Sequence, residues 1–226
     1  MPRRPRYELR GIAFHVMNRA VRGTRLFKTN RDFEAFANIV SDGLKRSQSR
    51  VRIHSFQVIE NHWHFVMTCD RIADLSTYMH WMQGTHANNW AGAHRARGRG
   101  YVYQGRYKAV PVQTSTSLLR VCRYVERNAL RKNLVAAAEH WTWGSLYSRC
   151  NNCYPIPLSP WPIPQPDNWI EIVNTPQTEG ELRDLRRCIR RDQPIGDAEW
   201  AAAVAPFLGL TIRSIGRPRK SEPSDD

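Results

Sequence analysis

The sequence is short of acid, of cysteine and of long apolar runs, and each shortage excludes something. No apolar stretch approaches the roughly 20 residues that cross a bilayer. The N-terminal MPRRPRYELRG is basic but lacks the apolar core of a secretion signal, which argues against export and for a cytoplasmic location. Five cysteines are an odd number without framework spacing, which suits a reducing compartment better than a disulfide scaffold. Cys150 and Cys153 make half of a zinc site at best and read as ordinary thiols. No glycine fingerprint of a nucleotide-binding loop occurs, and no internal repeat.

What is present is base. In 226 residues, 34 Lys or Arg face 20 Asp or Glu, a net charge of +14. Up to Cys150 there are 25 basic and 9 acidic residues, +16; beyond it 9 and 11, −2. An imbalance this one-sided points to a polyanionic partner, nucleic acid before a membrane surface, more than to solvated decoration. With 41% hydrophobic and 10% aromatic residues, a core can be filled.

Pattern along the chain predicts an α+β fold, with helices packed on an antiparallel sheet. Residues 11–17 read as a strand, and 30–47 as a helix with Asn30 as N-cap and an apolar face at Phe33, Phe36, Ala37 and Val40. Residues 51–60 alternate in part through Ile53, Ser55, Gln57 and Ile59. A turn at Glu60-Asn61 leads into a second strand, 62–69, to make a hairpin. Asp74 opens a helix toward Trp90, 107–113 form a strand, and Thr114 or Ser115 caps a helix from Leu118 to about Leu134. Prolines crowd 154–166 into an extended connector. Helices follow at 178–191 and 197–207, and 214–226 read as a disordered tail, basic then acidic. Three units result: 1–150, 151–213 and 214–226.

Two segments carry chemistry. In residues 61–67, NHWHFVM, strand alternation projects His62 and His64 from one face and sends Trp63 to the other. Two neutral imidazoles make a half-site for a divalent metal, although paired strand histidines are as often plain surface residues. In residues 117–135, SLLRVCRYVERNALRKNLV, Tyr124 and Asn128 are four apart and share a helix face. A helix tyrosine alone is more often core than nucleophile.

Together with FHVMNRAVRG at 14–23, YQGRYKAVPV at 103–112 and WTWGSLYSR at 141–149, these segments resemble the HUH single-tyrosine transposases. The resemblance is specifically to REP-associated tyrosine transposases, related to bacterial insertion-sequence transposases, and runs over about residues 10–148. It implies a ferredoxin-like domain, His62, His64 and Asn128 as ligands of Mg²⁺ or Mn²⁺, and Tyr124 as the catalytic nucleophile. The implied activity is a single-stranded DNA endonuclease and strand transferase acting on hairpin repeats through a 5′-phosphotyrosine link, near the nucleoid. Monomer and homodimer both occur among such proteins. Two departures are visible: Ala129 stands where proline commonly follows the asparagine, and Glu60 adds a carboxylate ahead of Asn61-His62.

Candidate DNA contacts are Arg106, Tyr107 and Lys108, with Tyr103 or Tyr107 able to stack on a base. A stripe of Arg120, Arg123, Arg127 and Arg131 beside Tyr124 and a basic arm of Arg3, Arg4 and Arg6 complete the set. Gly216 to Lys220 is similar to an AT-hook core. Two other readings are a non-catalytic DNA- or RNA-binding regulator and, more weakly, a zinc hydrolase with Glu60 as base.

Overall fold

The structure is a computed structural model that describes residues 12–21 and 23–210. Its first elements are β1 (Ala13–Arg19), α1 (Asn30–Arg46), β2 (Val51–Ile59), β3 (His62–Cys69), α2 (Ile72–Ala93) and β4 (Lys108–Val112). The four strands lie in the order β2-β3-β1-β4 with every pair antiparallel, a ferredoxin-like sheet. α3 (Thr116–Glu126) and α4 (Asn128–Arg131) follow, then α5 (Ser145–Asn151), α6 (Trp169–Asn174), α7 (Glu179–Arg191) and α8 (Ala198–Phe207). Among the described residues, no helix is long and apolar enough to cross a membrane. The basic arm at Arg3, Arg4 and Arg6 and the segment 214–226, with its hook-like Gly216 to Lys220, lie outside the described residues.

Strand alternation divides the sheet into two faces. Phe14, Val16, Trp63, Phe65 and Met67 join α1 and α2 in one core. Ala13, Val66, Val110 and Val112 join α3, α6 and α7 in the other. Burial of each large apolar side chain contributes about 1.5–3 kcal/mol. α1 and α2 pack tightly at Gly43, where an added Cβ would meet Tyr78 Cε2 at 2.8 Å. A chain of hydrogen bonds fixes the strand between the two histidines. Trp63 Nε1 donates to Tyr103 Oη at 3.1 Å, and that hydroxyl is hydrogen-bonded to His86 Nδ1 at 2.6 Å.

Several local expectations are revised. A β-bulge at His54 shifts the register of β2, so Ile53 and then Phe56 and Val58 face the first core, while Ser55 and Gln57 turn to the second. The alternation read through Ile53, Ser55 and Gln57 therefore does not mark one face. Thr29, not Asn30, caps α1 in a reciprocal pair with Asp32. The helix from Leu118 breaks at Arg127 into α3 and α4. α5 and α6 are too short to show a period.

Both sheet edges are covered. Val58 N–H donates to Trp143 O, and Ser159 N–H to Ile53 O, along β2. On β4, Ile195 N–H donates to Pro111 O, so the strand's proline sits with its missing donor toward the outer side, where it breaks no ladder bond. Residues 154–166 hold no helix or strand; Ile156 is buried in the first core, and Trp161 Nε1 and the backbone at Ser159 bond to β2.

Burial pushes His86 down to about 3. An unfolded histidine takes a proton near pH 6.5, so His86 contributes stability that is full above that pH and is lost as pH falls toward about 3. His86→Leu is expected to flatten the decline of urea-unfolding free energy across this window by roughly one proton's slope. An unchanged slope would show that His86 binds its proton as readily in the folded chain as in the unfolded one.

Candidate functional site

β3 and the α3–α4 break meet over the second face of the sheet. Tyr124, 9% exposed, and Asn128 both reach a groove of about 650 Å³ that His62 and His64 also line. Asn61 Oδ1 accepts a hydrogen bond from His62 Nδ1 at 2.7 Å, which leaves Nε2 unprotonated to accept from the Asn128 amide Nδ2 at 3.1 Å. The His62 and His64 ring centres stand 5.0 Å apart with the rings nearly perpendicular, and the Tyr124 ring centre lies 6.1 Å from that of His64, also edge-on.

Burial first, then the charges of Arg19, Lys132 and Arg131, pushes His62 down to about 3. His64 is held well below its ordinary range by burial, then by His62 and His15. Both imidazoles are therefore neutral near pH 7 and keep a lone pair for a ligand. Two neutral imidazoles and an amide oxygen are a donor set that fits a divalent cation, but here Asn128 turns its nitrogen to His62 and its Oδ1 to Arg131, so the amide must rotate to complete the set. Among the described residues no group of three His, Cys, Asp or Glu is placed to hold a metal. Glu60 is drawn to Arg25 at 3.5 Å and does not line the groove, so it supplies neither the added carboxylate nor the base of a zinc hydrolase.

His15 was given no part by the sequence, yet its Nε2 lies 3.0 Å from His64 Nδ1, and the ring is fully buried. With His64 Nδ1 donating, its Nε2 is free of a proton and available to a ligand. The signal was a lone histidine inside the apolar run Ala13 to Met17. Its own Nδ1 has no partner among the described residues, and burial, then Arg131, pushes it down to about 3.

The arginine stripe divides. Arg131 turns into the groove, its guanidinium 4.1 Å over the Tyr124 ring and 3.3 Å from Asn128 Oδ1. Arg123 instead donates to Thr175 O and Pro176 O, and Arg127 to Val173 O and Asn174 O, where they satisfy the open carbonyls at the end of α6. Arg120 is half-buried and off the groove. Arg106 and Lys108 line the groove, although Lys108 Nζ also binds Ile189 O and Asp192 beyond α7. Tyr107 stands beside it, in a neighbouring pocket, and Tyr103 is committed to the Trp63–His86 chain.

α7 supplies Arg186 and Arg190, which the near-neutral charge sum after Cys150 concealed. Among the described residues, seven Lys or Arg side chains and no carboxylate line the groove. Beneath it, fully buried Glu126 accepts from Ser55 Oγ at 3.0 Å, Arg149 at 2.7 Å and Trp169 Nε1 at 2.7 Å, and also from Ser145 Oγ. With its amide oriented to satisfy both ends, Gln57 donates to Glu126 O and accepts from Ala129 N–H across the helix break. Proline at 129 would lack that donor.

The groove joins a histidine pair, an amide and a tyrosine on a ferredoxin-like sheet. Residues 9–128, more than half of the chain, match the model of the family "Transposase IS200 like", and the chain belongs to that family. A solved structure described as "Structure of the REP associates tyrosine transposase bound to a REP hairpin" shares the fold. Its TM-score is 0.50 and its identity 16%, over 70% of this chain and 92% of that one. No curated protein matches.

Glu126→Ala strips the carboxylate from Arg149 and orphans the Trp169 indole, so it is expected to cost about 3–5 kcal/mol in urea unfolding. A loss under about 1 kcal/mol would show that water replaces the carboxylate.

Proposed function

We propose that this chain is a metal-dependent single-strand DNA endonuclease and strand transferase that acts on hairpin-forming, REP-like repeats. The observation that carries the reading is the convergence of His62, His64, Asn128 and Tyr124 in one basic groove. Membership of a transposase family and a shared fold with a protein bound to a REP hairpin support it.

A Mg²⁺ or Mn²⁺ ion held by His62, His64 and Asn128 would supply Lewis-acid polarisation of a phosphate oxygen, and the imidazoles favour Mn²⁺. His15 and Asn61 orient the two imidazoles. Arg131 holds the Tyr124 ring and adds fixed positive charge where a phosphodiester would enter. Tyr124 Oη attacks phosphorus as the bond to the 3′ oxygen breaks. The phenol loses its proton, the departing oxygen gains one, and the strand is left as a 5′-phosphotyrosine with a free 3′-hydroxyl. The reverse attack, by the same or another 3′-hydroxyl, reseals DNA without an external energy source.

Incubation with a labelled repeat hairpin and Mg²⁺ or Mn²⁺ is expected to yield a covalent protein–DNA adduct on denaturing gels. Tyr124→Phe should abolish it, and His62→Ala should abolish it while leaving much of the binding. Tight binding without an adduct under either metal would replace this reading with that of a repeat-binding regulator.

Phosphate contacts from α7 have a separate signature. Replacing both Arg186 and Arg190 by Ala is expected to reduce the slope of log affinity against log salt by about 1.4, taking ~0.7 for each single-strand phosphate contact. An unaltered slope would remove α7 from the DNA path.

A further inference from the structure

Next to the catalytic groove, α2 and the segment leading into β4 enclose a second pocket, of about 420 Å³. It shares Gln104, Gly105 and Arg106 with the groove, so the two form one continuous surface. Two glycines shape it, and neither is explained by the protein itself. Gly84 lies inside α2, where glycine is a poor helix former, and a Cβ built there meets nothing within 4 Å. Gly105 likewise has open space at its Cβ position and no positive φ that would require glycine. Its backbone is held in place, because its carbonyl accepts from both Asn18 Nδ2 at 2.9 Å and Gln83 Nε2 at 3.0 Å. Glycine at such positions permits close approach of something other than protein.

The rim and wall are aromatic. Tyr101 is 89% exposed, an unusual placement for a large ring. Tyr107 lies in the wall with a buried hydroxyl that no group among the described residues satisfies. Arg106, exposed at the junction, offers a cation to a phosphate passing from one cavity to the other.

We infer that this pocket receives one unstacked nucleobase of the strand whose phosphate lies in the groove, a base flanking the cleavage point. Tyr101 stacks on it, and the room left by Gly84 and Gly105 admits it. The inference rests on the DNA reading of the groove, but concerns base recognition rather than chemistry. An open pocket of about 420 Å³ suits a single small ring system. Stacking is tolerant of base identity, while the Gln83 and Gln104 amides are the groups that can discriminate.

The test uses a fluorescent repeat hairpin with single-stranded flanks, each flank nucleotide in turn made abasic, with binding followed by anisotropy. Wild type is expected to lose roughly 5- to 150-fold in affinity at one flank position. Gly84→Leu, which fills the pocket with a better helix former, and Tyr101→Ala, at an exposed site, should each weaken binding of the intact strand. Neither should then respond further to the abasic change at that position. The pocket is overturned if no flank position is sensitive, or if both variants bind the intact strand as wild type does. Tyr124→Phe, which blocks chemistry, should retain the full abasic response. A chain that binds in this pattern but forms no adduct therefore fails the catalytic reading and not this one, while a chain that binds no such DNA fails both.

Discussion

The buried carboxylate of Glu126 is the contact on which the site depends. It lies two residues from Tyr124 and two from Asn128, on the opposite side of the helix from the groove. Its partners come from β2, α5 and α6, so one side chain ties the end of α3 to three other parts of the chain. A charge removed from water is tolerated only with this degree of pairing. Once it is in place, the tyrosine and the amide have little freedom to move relative to the histidine strand. Gln57 does the same for the backbone, spanning the break that lets α4 turn Asn128 and Arg131 inward.

Much of this was legible from spacing alone. Strand period placed His62 and His64 together and Trp63 behind them, and helix period placed Tyr124 above Asn128. The rest depended on contacts far apart in the chain. The bulge at His54 has no signature in composition, yet it decides that Ser55 and Gln57, not their neighbours, meet α3. Arg123 and Arg127 look like their neighbour Arg131, but the end of α6 presents open carbonyls to them. His15 is one residue in an apolar strand until β1 pairs with β3 and brings it against His64.

The charge reading shows the same limit. A sum over residues 151–226 is near neutral because acidic and basic side chains cancel in number. In space they do not cancel: α7 begins acidic, with Glu181 capping its start at Thr178, and carries Arg186 and Arg190 to the groove. Net charge describes how much of a partner's field is matched, whereas the helix decides where.

That division has an evolutionary corollary. The strand pair and tyrosine helix sit within the stretch shared with the family, while part of the groove's wall is lent by α7, well beyond it. Substitutions in α7 can therefore change the charge over the groove without altering the histidines, the amide or the tyrosine. The field and the side chains beneath it are written in separate passages of the chain, and selection can revise one while leaving the other intact.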